Sequence, residues 1–227
     1  MPSGARVATL LATILLAGIA ATPGVLYLVG LSAIPMVRLT AMVAPAPQPA
    51  IRALWASLGG YGAPGIERSN PYSLVLGLWR GDHGLDNWRS PERRVAELAS
   101  FAIIPRGSIR VTMLRWHLAT AAAALWAGRH WSAEQALSAY LHGAYFGHGF
   151  QGLEQGALGY FGRPATDLTA AEAARLVVIA YSPTRLDPWC HPAENAAAAA
   201  EVEVRFTEAV SHVGVDLLPR PEGACEG

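Results

Sequence analysis

The chain of 227 residues contains no lysine; all 17 of its basic residues are arginine. A phosphate-binding P-loop needs its lysine, a pyridoxal enzyme needs a Schiff-base lysine, and Ser-x-x-Lys acylating sites need theirs. All three classes are excluded. The sequence also lacks a His-Glu-x-x-His zinc helix, a Gly-x-Ser-x-Gly elbow and a Cys-x-x-Cys pair. Charge is scarce: charged residues make up 15%, against a typical ~25%. Acidic and basic residues balance at 17 each, so bulk charge gives no argument for nucleic-acid binding. With 52% hydrophobic residues, disorder and coiled coil are excluded too. No alternating strand pattern is evident, so the fold class expected is mostly α. At about 100–200 residues per domain, the length allows one domain plus accessories.

The longest uncharged stretch runs over residues 7–37, directly after Arg6. Residues 7–30 supply the ~20 apolar positions that a membrane span requires. The flanking arginine leaves the N-terminus cytoplasmic and the remainder outside, in the periplasm or its equivalent. Pro23-Gly24 interrupts the stretch and predicts a kink. A cleaved signal peptide ending near Ala17-Gly18-Ile19-Ala20 is the alternative; the length of the run favours an uncleaved single-pass anchor in the inner membrane. The organisation expected is an anchor over 1–38, a linker and short juxtamembrane segment over 39–66 containing the Pro/Ala stretch 44–50, and a helical domain over 67–227. Within it the pattern predicts helices over 108–128, stopped by Gly128, over 132–142, over 169–181 and over 193–213. Ser132-Ala133-Glu134-Gln135 and Thr169-Ala170-Ala171-Glu172 are capping boxes. Glu194, Glu201, Glu203 and Glu208 read as a solvated face of the last helix. Cys190 and Cys225, placed outside the cytoplasm, suggest a disulfide, with two unrelated thiols as the alternative. Cys190-His191 has no further ligands in sequence order, so no metal site is expected there.

Residues 132–188 carry the specific signal. They hold Tyr140-Leu141-His142, then Tyr145-Phe146-Gly147-His148-Gly149 and Gly152, then Tyr160-Phe161-Gly162-Arg163, then Leu168-Thr169-Ala170-Ala171-Glu172-Ala173-Ala174, and finally Ser182-Pro183 and Pro188. In order and spacing this resembles the second half of the glycosyltransferase family 51 domain. That domain is the peptidoglycan glycosyltransferase module of bifunctional penicillin-binding proteins and monofunctional transglycosylases. The resemblance implies a lysozyme-like helical lobe behind one transmembrane helix. It implies as partners a lipid-linked disaccharide precursor or glycan strand, the inner membrane and other cell-wall synthesis proteins. It also allows a divalent metal. By the same resemblance, substrate would meet Arg110, Arg115, His117, His142, Tyr145, Gly147, Gly149, Gly152 and Arg163.

The first half of the family pattern is less well kept. In the best register Val75 stands where the family has its catalytic glutamate, and Trp116-His117 and Thr120 stand on its later Arg-Lys-x-x-Glu box. A displaced base is then needed, with Glu97, Asp82 and Asp86 as candidates; a shifted register brings in Glu67 or Glu92. Three readings stay open. The chain is a divergent glycosyltransferase, a catalytically inactive protein that binds glycan or precursor, or a lysozyme-like lytic enzyme using Glu97 as its acid. If the resemblance holds, the helix over 108–128 packs beside that over 132–142, and the cleft floor shows Arg115, His117 or Thr120 with no carboxylate bonded to Thr120.

Overall fold

The computed structural model describes residues 3–40, 43–72, 90–104, 112–207 and 215–225. Among them the chain is helical, with no strand and one isolated bridge between Tyr145 and Gln151. The helices are α1 (Ser3–Ser32), α2 (Met36–Leu39), α3 (Gln48–Ser57), α4 (Pro91–Ile103), α5 (Met113–His130), α6 (Ala133–Gly143), α7 (Leu153–Phe161), α8 (Ala170–Tyr181) and α9 (Pro192–Thr207).

Local chemistry sets most of these boundaries. Ser90 accepts from the Arg93 amide at 3.3 Å and Pro91 opens α4, where a missing N–H costs nothing. Both expected capping boxes form: Ser132 and Gln135 exchange bonds at the start of α6, and Thr169 and Glu172 do so at the start of α8. Gly152 and Gly162 bracket α7 with φ of +86° and +67°, backbone that a side chain would strain.

One apolar core joins the helices. α8 lies deep in it, with Ala173, Ala174 and the four residues from Leu176 to Ile179 buried, and α3, α7 and α9 pack on it. α4 sits between α5 and α6 and touches both, while α1 lies along the other side of α5. Gly30 makes that contact possible. A Cβ there would stand 2.3 Å from the Leu118 carbonyl oxygen, so only glycine lets the two backbones approach so closely.

The structure corrects several expectations. α5 and α6 are not side-by-side partners; extended backbone at Trp131 and Ser132 turns the chain, and α4 fills the space between them. Accordingly Ala121 and Ala124 face α4 rather than α6, and Ala122 faces α1. Gly128 does not stop α5, which continues to His130. It lies inside the helix because a Cβ there would meet the Glu67 carbonyl oxygen at 2.2 Å. Helix α1 runs unbroken through Pro23. The stretch expected as a linker enters the core: Ala46 is buried with its amide donating to Ser138 Oγ at 2.9 Å, and Ile51, Leu54 and Trp55 of α3 are buried. Glu203 is not part of a solvated face. It is buried beneath α9, where its charge acts on Arg175, while Glu194 and Glu201 are exposed as expected. Glu208 lies outside the described residues.

Candidate active-site cleft

Helices α4 and α5 enclose a cleft of about 460 Å³. The start of α4 is tied in through the Glu67 amide, which donates to the Glu92 carbonyl at 3.1 Å. The same segment packs on Gly128 at the far end of α5, so residues 67–69 close one end of the cleft. Arg129 fixes this wall by donating twice to the Ser69 carbonyl, at 3.2 and 3.1 Å. From α4 the cleft receives Arg93, Glu97 and Phe101; from α5 it receives Trp116, His117 and Thr120.

Two carboxylates face this space. Glu67 accepts from Ser69 Oγ. Glu97 pairs loosely with Arg93 one turn earlier, Nε to Oε1 at 3.7 Å, and is half exposed. Its carboxyl is held above the ordinary carboxylate range, first by desolvation in the cleft. Arg93 and Arg94 oppose the shift and the Glu67 charge adds to it. A carboxylate made more basic and set beside a second one is the arrangement that general acid–base chemistry uses. Thr120 is not part of it. Its hydroxyl turns back to donate to the Trp116 and His117 carbonyls at 3.1 and 3.0 Å, and no carboxylate is bonded to it among the described residues.

Of the residues singled out in the sequence, Glu67, Glu97, Trp116, His117 and Thr120 meet in this cleft. Arg115 stands exposed on α5 and is absent from the lining, and Arg93 takes the place expected of it. Asp82, Asp86 and Arg110, with Val75, lie outside the described residues. The remaining residues gather elsewhere. Tyr145 and Gly147 line a second pocket of about 210 Å³ with His148, Asp187 and both cysteines. Gly152 packs on the end of α6, where a Cβ would meet the His142 carbonyl oxygen at 2.8 Å. His142 Nδ1 bonds the Ser138 carbonyl at 2.8 Å. Gly149 takes φ +80° in the same turn, and its amide donates to Tyr145 Oη at 3.3 Å. Arg163 bridges at 3.4 Å to Glu172, which completes the capping box of α8 with Thr169, and so has a structural partner. Cys190 and Cys225 form the expected disulfide.

The residues that reading the sequence left out of the site are Arg93 and Ser69. A positive charge four residues before a candidate base, Arg93 to Glu97, was the available signal. The one described cluster with metal-ligand character, His148, Asp187 and Cys190, does not fit a metal ion. Its sulfur is committed to the disulfide, which leaves two ligand atoms.

Residues 105–207, from just before α5 to the end of α9, match the family model described as Transglycosylase. Over these helices the chain is similar to the transglycosylase family. Penicillin-binding protein 1F of Bacillus subtilis is 37% identical over 67 residues, covering 30% of this chain and 9% of its own length. Penicillin-binding protein 1A of Mycobacterium tuberculosis is 40% identical over 62 residues, covering 27% and 8%. A biosynthetic peptidoglycan transglycosylase of Marinomonas is 43% identical over 58 residues, 26% of each chain. The chain thus matches less than a tenth of the two penicillin-binding proteins and about a quarter of the Marinomonas protein. Glu67 and Glu97 lie before the matched segment and line the cleft from the 67–69 stretch and from α4.

Proposed function

We propose that the chain is a membrane-anchored glycosyltransferase of peptidoglycan strand synthesis, using Glu97 as its base. The observation that carries this reading is Glu97 itself, a carboxylate of raised basicity facing the transglycosylase helix α5 across the cleft. The reaction needs a sugar hydroxyl to attack C1 of a lipid-linked donor. The hydroxyl proton passes to Glu97, the new C–O bond forms at C1, and the old bond to the diphosphate breaks with its electron pair. Arg93 and His117 stand where they can hold the departing diphosphate, Arg93 through a planar fork suited to phosphate oxygens. Desolvation in the cleft keeps Glu97 basic, and the Glu67 charge adds to it. The apolar floor of Ala121, Ala124 and Leu125 lowers the local dielectric in which the proton moves.

The test uses the full chain in lipid vesicles with lipid-linked disaccharide. Wild-type protein should extend glycan, and Glu97→Gln should lose roughly 10²–10⁴-fold in rate while still binding the precursor. Undiminished polymerisation by Glu97→Gln refutes Glu97 as the base. Binding without any polymerisation by wild type favours the inactive binder, for which Thr120 on α5 is the supporting observation. Release of soluble muropeptides from cell walls favours the lytic enzyme.

A further inference from the structure

The pocket beside the 147–149 turn holds more ligand chemistry than its closed disulfide lets it use. His148 Nε2 meets Asp187 Oδ2 there, and these two atoms and Cys190 Sγ all lie within 4.8 Å of one another. Cys225 Sγ is bonded to Cys190 and lines the same pocket. With the disulfide closed, both sulfurs are committed and two ligand atoms remain. Opened, the pair offers two thiols, and the set becomes one imidazole, one carboxylate and two sulfurs. A four-coordinate donor set of this kind suits zinc. A tetrahedral ion with bonds of ~2.0–2.3 Å holds its ligands roughly 3.3–3.8 Å apart, so these atoms need to close in by about 1 Å.

The surroundings orient these groups as an outer shell orients metal ligands. Asp187 is buried, and its Oδ1 accepts from the Trp189 and Cys190 amides at 2.8 and 3.3 Å. Those bonds fix the carboxylate and leave Oδ2 turned to His148. His148 takes φ +48°, in the left-handed region that few side chains adopt. Its ring packs against Trp189 at 5.0 Å and Tyr160 at 6.2 Å, which hold its orientation. Arg220 donates to Cys225 Sγ at 3.8 Å, a charge that favours the thiolate once the bond opens. The pocket, of about 210 Å³, gives an ion its way in.

We propose that, with the Cys190–Cys225 bond reduced, His148, Asp187, Cys190 and Cys225 form a zinc site. A dithiol reductant supplies the two electrons: its own thiols close into a disulfide while the protein's bond opens to two thiols. Zn²⁺ then takes the place of one proton on each sulfur, and both protons leave to water. The imidazole binds neutral and the carboxylate charged. The ion does for the C-terminal tail what the disulfide does. That tail docks through the Leu218 amide on the Tyr160 carbonyl at 2.8 Å and through Trp189 Nε1 on the Leu218 carbonyl at 3.0 Å. Zinc keeps residues 215–225 on the domain when reductant opens the bond. None of the four ligands lines the Glu97 cleft.

The experiment uses the full chain in detergent, reduced with dithiothreitol and freed of it by gel filtration under argon. Cobalt(II) is the probe, because its absorption reports both ligand type and geometry. Reduced wild-type protein should bind one cobalt per chain, with a sulfur-to-cobalt charge-transfer band and the intense visible bands of a tetrahedral ion. One equivalent of zinc should bleach them. Unreduced protein should show neither band, and nor should Cys190→Ser/Cys225→Ser. His148→Ala and Asp187→Asn should each weaken cobalt binding by ~tenfold or more, since losing a ligand costs at least what losing an outer-shell partner does. His148 sits at an exposed turn, so its variant keeps the test decisive if Asp187→Asn disturbs the fold. Circular dichroism follows the helices throughout. Reduced wild type that keeps its helices but gives only the weak bands of six-coordinate cobalt refutes the site. Cobalt affinity unchanged in His148→Ala confines binding to the thiols and refutes it as well. Helices lost on reduction and not regained with zinc would overturn it too, because the ligands would no longer be held together.

Discussion

Replacing Gly128 by alanine sets two effects of opposite sign against each other. In a free helix the change stabilises by ~1 kcal/mol, because glycine loses the most backbone entropy on ordering. At this position the new Cβ stands 2.2 Å from the Glu67 carbonyl oxygen, where ordinary contact begins at 3.4 Å. The obstacle is backbone, held by the Glu67–Glu92 hydrogen bond and by Arg129 on Ser69, so it cannot swing aside as a side-chain end would. Overpacking of this kind costs about 1–3 kcal/mol, and a strained hydrogen bond about 1 kcal/mol more. The clash therefore wins, and Gly128→Ala should destabilise by about 1–3 kcal/mol, the difference of these terms. At roughly 2–4 °C per kcal/mol for a chain of this size, thermal unfolding of the full protein in detergent should start several degrees lower. Gly143→Ala is the control: a Cβ there meets nothing within 4 Å, so that variant should be neutral or more stable. An unchanged or raised Tm for Gly128→Ala would mean that the 67–69 wall does not rest on α5, and the cleft as described would be wrong.

Three further outcomes are expected. Glu67→Gln removes a negative charge that raises Glu97, so the acid limb of the rate–pH profile should move to lower pH; Arg93→Gln should move it to higher pH, and fixed limbs in both would show that Glu97 does not titrate in the reaction. Glu97 in the fold binds its proton more tightly than in the unfolded chain, so it costs stability above its raised pKa, and that cost is relieved as pH falls through it. Glu97→Gln should therefore raise Tm at neutral pH, by an amount that shrinks on acidification. The Cys190–Cys225 pair closes 35 residues, and replacing both by serine should cost roughly 3–4 kcal/mol in the chain-entropy account, read as a lower Tm that reductant no longer changes.

The parts of this molecule legible in sequence are those decided by neighbours along the chain. A Ser or Thr three residues before Gln135 or Glu172 needs nothing from elsewhere to cap its helix, and both boxes form as spaced. The disulfide was readable because two cysteines leave one pairing. What could not be read depends on packing between distant segments. Nothing local shows that the proline- and alanine-rich stretch 44–50 runs into the core, where Ala46 and Ala50 are buried and the Ala46 amide donates to Ser138 of α6. Gly128 has the appearance of a helix stop and becomes an approach point for Glu67. Glu203 follows a charged spacing yet faces inward. The cleft was half legible: His117 and Glu97 could be singled out by residue type. That α4 rather than α6 would pack beside α5, and so set Glu97 in the cleft, follows from the turn at Trp131 and Ser132, which composition does not encode.

That turn also bears on how acid–base function is distributed in the cleft. A base must reach the attacking oxygen, and the helix that carries it is immaterial if both helices line the same space. Thr120 on α5 and Glu97 on α4 do line the same space. The resemblance places the family's second, later glutamate at the position of Thr120, a point from which a carboxylate enters the same space across from Glu97. Placing one there is therefore a direct test of whether the two positions are equivalent. Thr120→Glu in the Glu97→Gln background should recover part of the lost polymerisation, because the new side chain enters the cleft from the opposite wall with Arg93 and His117 still present. In the wild-type background the same change puts a second negative charge beside Glu97 and should shift the acid limb to higher pH. Failure of the double variant to recover activity, while it still binds lipid-linked precursor with wild-type affinity, would show that the attacking oxygen lies near α4 alone. The equivalence of the two positions would then be refuted.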